Sequence, residues 1–340
     1  MHRRTLVHDD IEREYFVHLP VGASEDRPVP VVLALHGAGT TATGFAAIYD
    51  LNRHADEHGY AVIYPQGTHF MGALGDDSAA ENYFNSTWND LASNFTPGTG
   101  GLPHCTDDRL KWPCPPECGS CNHCAWVSCH DDFGFLNRVL DAVQSEFATD
   151  SDRVYLLGNS NGGTMATRLA CDMSARFAAV AVLIIQMPPG FACAPARSLP
   201  LLHLYGEKDE AIGFDGTPTP DGWIYTSAAE TASTWADGLG CATPGHIWES
   251  ETSEALGLQC QAYKDCRVED HAVLSCRDPE AGHEWRGQRI SEIPADCVSP
   301  EQRASLPGQP ACNRVQPGRE LRGMDLVWEF FRQYRRAGQS

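Results

Sequence analysis

The sequence predicts an α/β protein: a mostly parallel, doubly wound sheet with helices on both faces and disulfide-rich insertions. Two observations carry that reading. Short, continuous apolar runs bounded by Pro or Gly alternate with segments of helical spacing, as strands buried on both faces and their crossover helices do. Cysteine-, Gly- and Pro-rich stretches at about 67–130 and 241–320 interrupt that rhythm without repeating one another. At 340 residues the chain fits one domain, 1–340, carrying these two stretches as a Cys-rich insertion and a Cys-rich C-terminal region.

Tyr15-Phe16-Val17-His18-Leu19 and Val31-Val32-Leu33-Ala34-Leu35 read as strands, the second one buried. Ala46 to Glu57 has helical spacing, and Tyr60 to Pro65 follows as another buried strand, which gives a strand–helix–strand unit with a right-handed crossover. Regular periodicity then disappears from Gly67 to Cys129, where six cysteines mark a long insertion held by disulfides. It returns at Phe133 to Phe147, where Phe135, Val139, Val143 and Phe147 lie four apart on one helix face. Strands follow at Val154–Leu157, Ala178–Ile185 and Leu201–Tyr205, with a helix at Gly163–Cys171. Thr226 to Leu239 is a further helix, and Val273 to Ser275 a short strand. Six more cysteines lie between Cys241 and Cys312, before an amphipathic helix at Met324 to Tyr334.

Apolar residues at 42% and charged residues at 21% exclude a disordered or fibrous chain. No apolar run approaches the roughly 18 residues that cross a bilayer. The net charge of −20 opposes nucleic acid and anionic membranes as partners, and nothing calls for a cofactor. Fourteen cysteines point to an oxidising compartment. The sequons Asn85-Ser86-Thr87 and Asn94-Phe95-Thr96 point the same way. A secreted, extracellular monomer is expected, with a start Met in place of its leader.

Gly158-Asn159-Ser160-Asn161-Gly162 sits between an expected strand and an expected helix, the context that gives a G-x-S-x-G pattern its meaning. A nucleophilic serine needs a sharp, strained turn there, and side chains two residues either way would collide with the strand and helix it joins. The helix N-terminus places backbone N–H groups beside the Ser160 hydroxyl, where an oxyanion develops in acyl transfer. His36-Gly37-Ala38-Gly39-Thr40 ends a buried strand with small residues, so the backbone N–H groups of Ala38 and Asn161 are the expected oxyanion donors. His36 is read as a loop-bonding histidine at the edge of the substrate site rather than as the base.

A serine hydroxyl needs a histidine to take its proton, and that histidine needs a carboxylate. Asp209, in the loop after the Leu201 strand, is the candidate acid, with Glu207 and Asp215 as competitors. Only His203, His246, His271 and His283 follow Ser160. His203 lies within a strand, and His283 is preferred over His271 and His246 for its flanking Gly282 and neighbouring Trp285.

The chain resembles the secreted poly(3-hydroxybutyrate) depolymerase-like and feruloyl esterase-like α/β-hydrolases. The resemblance rests on Leu35-His36-Gly37, the segments His58 to Pro65 and Asp131 to Phe135, the block Gly158 to Gly163, Tyr205 to Asp209, Gly282-His283-Glu284-Trp285, and Val327 to Phe331. It runs from about residue 12 to 335 and implies the α/β-hydrolase fold, with Ser160 as nucleophile, Asp209 as acid and His283 as base. It also suggests Trp285 near the substrate-binding surface. Gly213-Phe214 and Arg286 depart from the family pattern, which often has a Pro-Tyr turn and a Pro at those places.

Cys118-Gly119-Ser120-Cys121-Asn122-His123-Cys124 has metal-site spacing, but disulfides are the favoured reading and no metal is assigned. Trp88, with Trp112 and Trp126, forms either an aromatic platform for substrate or a small satellite core. The expected function is serine ester hydrolysis of feruloyl or acetyl esters on plant polysaccharide, with polyester depolymerisation as the alternative. A non-catalytic binding protein of the same fold is the alternative of another class.

Overall fold

A computed structural model describes residues 1–24, 26–72, 83–90, 118, 128–191, 195, 197–220, 222–286, 292–313 and 322–336. Strands β1 (His2–His8) and β2 (Ile11–His18) fold back on one another across Asp9 and Asp10, both in the left-handed region. β3 (Val29–Leu35) follows, then α1 (Ala42–Ile48), α2 (Leu51–His58) and β4 (Ala61–Pro65). One helix was expected over 46–57. Two form because Asp50 takes φ 49°, a left-handed conformation that Asp tolerates and that breaks the hydrogen-bond ladder. Thr41 caps α1 by accepting the Gly44 N–H.

β5 (Thr68–Gly72) pairs antiparallel with β6 (Tyr83–Thr87), so ordered pairing exists where no periodicity was visible. The reason is chemical: β6 buries Asn85, Ser86 and Thr87, and polar residues leave no hydrophobic pattern. Because Asn85 is buried, the folded chain offers no room for a glycan there. Asn94, Trp112, Trp126, Cys121 and Cys124 lie outside the described residues.

After α3 (Asp132–Glu146) come β7 (Thr149–Asn159), α4 (Asn161–Asp172), β8 (Ala179–Leu183) and β9 (Leu201–Gly206). Then follow α5 (Ala228–Leu239), β10 (His246–Trp248), α6 (Glu251–Ala255), β11 (Gln259–Tyr263), β12 (Val273–Asp278) and α7 (Gly323–Phe331). The ten-stranded sheet has the order β1-β2-β4-β3-β7-β8-β9-β12-β11-β10. β4, β3, β7, β8, β9 and β12 run parallel, and antiparallel strands finish both edges. β4 lies on one side of β3 and β7 on the other, so the chain changes winding direction between β3 and β7. A crevice opens at the carboxyl ends of strands at such a point.

Strand alternation divides the core between the two faces of the sheet. Val31 and Leu33 point to the side covered by α3, α4 and α5, while Val32 and Ala34 point to the side of α1, α2 and α7. Phe135, Val139 and Val143 of α3 are buried, as their spacing predicts.

Disulfides join Cys118–Cys129, Cys241–Cys266, Cys260–Cys276 and Cys297–Cys312, and Cys171 is also disulfide-bonded. Cys118, which opens the stretch with metal-site spacing, is thereby committed to a disulfide. Cys260 and Cys276 are directly opposed residues of β11 and β12 and are both buried. Their loop spans 16 residues, so its closure restricts the unfolded chain by about 3 kcal/mol. A Cys260→Ala/Cys276→Ala double variant is expected to melt well below the parent in calorimetry, and an unchanged Tm would contradict a stabilising role for this bridge.

Candidate active site

β7 ends at Asn159, and α4 begins at Asn161. Ser160 between them holds φ 52° and ψ −127°, a conformation that L-residues adopt only under constraint. Its N–H is fixed on Leu183 O at 3.0 Å. Glycine is required on both sides because backbone comes too near for a side chain. A Cβ on Gly158 would lie 2.2 Å from Gly162 O, and one on Gly162 would lie 2.3 Å from His36 O. The Gly162 contact presses the turn against the end of β3 and brings the His36 loop beside Ser160. In that loop, Gly39 N–H donates to Ser86 O and Thr40 N–H to Gly37 O, while no acceptor for the Ala38 N–H occurs among the described residues. As the first residue of α4, Asn161 has an N–H without an intrahelical acceptor.

Asp209 stands in the loop after β9, and its side chain is almost fully buried. Its Oδ1 accepts the N–H groups of Ala211 at 2.9 Å and Ile212 at 2.8 Å, which aims Oδ2 at His283 Nδ1, 2.8 Å away. His283, in the loop after β12, presents Nε2 to Ser160 Oγ at 3.0 Å. Three side chains from three loops thus form one hydrogen-bonded line at the carboxyl ends of β7, β9 and β12. The competing groups lie elsewhere: Glu207 faces Arg277, Asp215 bonds Thr217, His271 bonds Ser198, and His246 stands on the edge strand β10. Such a line can carry a proton from a hydroxyl to an imidazole while a buried carboxylate steadies the cation that forms. A cavity of about 840 Å³ between Trp248, His271 and Tyr334 contains none of the three residues.

The family described as Esterase PHB depolymerase matches residues 13–74. Over 301 residues the chain is 29% identical to the provisionally named esterase NocK of Nocardia uniformis subsp. tsuyamanensis, covering 83% of this chain and 73% of that protein. It is 26% identical over 145 residues to feruloyl esterase B of Piromyces equi, covering 40% of this chain and 26% of that enzyme. Among solved structures, the acetyl xylan esterase from Aspergillus awamori superposes with a TM-score of 0.52 at 14% identity, over 83% of this chain and 94% of that one. The chain groups with the carboxylic ester hydrolases. Its fold is the α/β-hydrolase fold.

The structure places His36, Trp88 and Trp285, the residues expected to touch substrate, within the core. His36 and Trp88 are fully buried, and Trp285 is 7% exposed, so none offers a free face to a ring. The Trp88 indole N–H donates to His36 O at 2.8 Å, and its ring lies 4.9 Å from the imidazole. Trp88 belongs to the main core rather than to a platform or a satellite cluster. It also grips the residue after Ser160, its N–H donating to Asn161 Oδ1 at 2.8 Å, while Asn161 Nδ2 reaches Asp90 at 3.2 Å. Trp285 packs on Tyr49, whose hydroxyl donates to Asn159 Oδ1 at 3.0 Å, so one aromatic pair braces both the Ser160 turn and the His283 loop. Arg286, the departure from the family pattern, clamps that loop to β12 through two hydrogen bonds to buried Asp278. The paired aspartates divide their work. Asp131 caps α3, and buried Asp132 accepts from Arg13, Asn89 N–H and Ser128. Nothing in the spacing of Tyr49, Asp90 or Asn159 announces these roles.

Two buried histidines near the site are neutral and fully bonded. His36 donates from Nδ1 to Gly37 O and accepts the Gly67 N–H at Nε2, while His203 donates from Nε2 to Ile185 O and accepts the Ser275 hydroxyl at Nδ1. Burial pushes both down to about 4 from the ordinary 6.5. The unfolded chain therefore takes up protons below pH 6.5 that the folded chain refuses until about pH 4. Stability falls across that window by up to about 3 kcal/mol for each histidine. Urea unfolding at pH 7 and pH 4.5 should show a smaller loss in His203→Gln than in the parent, and an equal loss would refute the assignment.

Proposed function

We propose that the protein hydrolyses carboxylic esters through an acyl-enzyme on Ser160, with His283 as base and acid and Asp209 as the orienting carboxylate. The observation that carries this reading is the hydrogen-bonded line Ser160 Oγ, His283 Nε2, His283 Nδ1, Asp209 Oδ2, with spacings of 3.0 and 2.8 Å. Ser160 Oγ attacks the ester carbonyl carbon as its proton passes to His283 Nε2. The carbonyl oxygen becomes an oxyanion held by the N–H groups of Ala38 and Asn161. The carbon–alkoxy bond breaks, and His283 returns the proton to the departing alcohol. Water then repeats the sequence on the acyl-enzyme, His283 taking its proton and returning it to Ser160 Oγ as the acid leaves.

The favoured substrates are feruloyl or acetyl esters of plant polysaccharide, a reading supported by the relatives named as feruloyl and acetylxylan esterases. The match of residues 13–74 to the PHB depolymerase description supports a polyester as second reading. Disulfides support secretion into an oxidising compartment. A one-domain chain over 1–340 is supported by a sheet whose strands run from residue 2 to residue 278, with α7 packed on it.

Ser160→Ala and His283→Ala are each expected to lower kcat on a p-nitrophenyl ester by about 10,000-fold. Asp209→Asn should cost about the same while leaving KM nearly unchanged. Activity that survives Ser160→Ala would remove the reading, and a parent protein inert toward every ester would favour the non-catalytic alternative. Comparison of kcat/KM on methyl ferulate, acetylated xylan and polyhydroxybutyrate decides the substrate.

A further inference from the structure

α2 carries His54 and His58 four residues apart, on one helix face, and α7 brings Asp325 against them. No metal was assigned from the sequence, and this cluster shares no hydrogen bond or ion pair with Ser160, His283 or Asp209 among the described residues. We propose that His54, His58 and Asp325 bind a divalent transition-metal ion of the zinc type, clasping α7 to α2.

The ligand atoms converge. His54 Nε2 lies 3.3 Å and His58 Nε2 4.0 Å from Asp325 Oδ1, and the two imidazole centroids are 4.3 Å apart. Zinc–nitrogen and zinc–oxygen bonds of about 2.0–2.1 Å place the ligands of a tetrahedral site ~3.3 Å from one another. The His54–Asp325 spacing already meets that value. His58 closes the remainder from the last residue of α2, where its side chain is 35% exposed and has room to turn. That exposed side leaves the fourth position to water.

His54 carries the second observation. It is fully buried, and its Nε2 makes no well-aligned hydrogen bond although Asp325 Oδ1 lies 3.3 Å away. A buried histidine serving only as partner to Asp325 would spend Nε2 on a hydrogen bond. Nδ1 is engaged by the Tyr60 hydroxyl at 2.8 Å, and a proton on Nδ1 donated to that oxygen leaves the Nε2 lone pair facing Asp325. Metal-bound histidines are oriented by such a contact. Asp325 Oδ2 accepts the Arg322 N–H at 2.6 Å, so Oδ1 is the oxygen turned to the histidines. The Arg322 guanidinium would repel a cation, but its Nη2 is paired with Glu57 at 2.5 Å. Two imidazoles and one carboxylate form a donor set that suits zinc.

The test is calorimetric titration of chelator-treated full-length protein with zinc chloride, alongside His58→Ala and a His8→Ala control. His8 belongs to the exposed cluster with Asp9 and Asp131, where its Nε2 already bonds Asp131 at 3.0 Å. The expected result is one tight zinc per chain in the parent and in His8→Ala, with binding at least 30-fold weaker in His58→Ala. Saturating zinc should raise the parent Tm by about 3 °C and leave that of His58→Ala unchanged. Should His58→Ala fail to fold, Asp325→Asn, whose amide oxygen still accepts the Arg322 N–H, must show the same weakening. Absence of zinc binding by the parent at 100 times a typical micromolar Kd, on the order of 100 μM, overturns the proposal. Undiminished affinity in His58→Ala, or loss in His8→Ala instead, also overturns it.

Discussion

The close approach of the Gly158–Gly162 turn to the end of β3 is the contact on which the site depends. A Cβ at Gly162 would intrude on the carbonyls of His36 and Leu35, and one at Gly158 would strike the Gly162 carbonyl. With both side chains absent, the strand-to-helix turn closes tightly enough to hold Ser160 at a positive φ. The cost of that conformation is borne by the parallel strands on either side, since the Ser160 N–H is tied to Leu183 at the end of β8. The same closeness sets the His36 loop beside α4, with Gly37 against the Ser160 side chain.

Around this turn the protein spends its buried polar groups on position rather than on solvent contact. Trp88 and Asp90 hold the Asn161 side chain, Tyr49 holds Asn159, and the Arg286–Asp278 pair anchors the loop bearing His283. Arg13 and Asp132, both buried, fasten the 88–90 segment to α3 and β2. Each of these side chains makes at least one hydrogen bond, which lowers the penalty of burying it, although Arg13 Nη1 has no partner among the described residues. The result is a serine, an imidazole and a carboxylate held by loops that are themselves tied to strands, an arrangement that favours preorganised chemistry.

On the other face of the sheet, Tyr60, in the turn after α2, stacks on Trp328 of α7 at 4.3 Å, and α2 meets α7 through the His54–His58–Asp325 cluster. This junction fastens the last helix to the strand–helix–strand unit near the start of the chain. Its contacts are aromatic and polar. Both faces of the sheet are otherwise packed with aliphatic and aromatic side chains.

The sequence by itself determined the parallel core of the sheet, because strands buried on both faces must be continuously apolar and the crossover helices must show one apolar face. It also determined the Ser160 turn and narrowed the carboxylate and imidazole to a few residues each, because glycine spacing and chain order are local properties. It did not reveal the strands β1, β5, β6, β10 and β11, whose exposed edges or buried polar residues carry no hydrophobic signal. The broken helix at Asp50 was equally silent, since one backbone angle decided it. Only the tertiary structure brought Asp209 and His283, and not their competitors, into one hydrogen-bonded line with Ser160, and buried His36, Trp88 and Trp285. The reason is that residues far apart along the chain meet only when the sheet and its loops are packed, and no periodicity in one segment records what a distant segment will place against it.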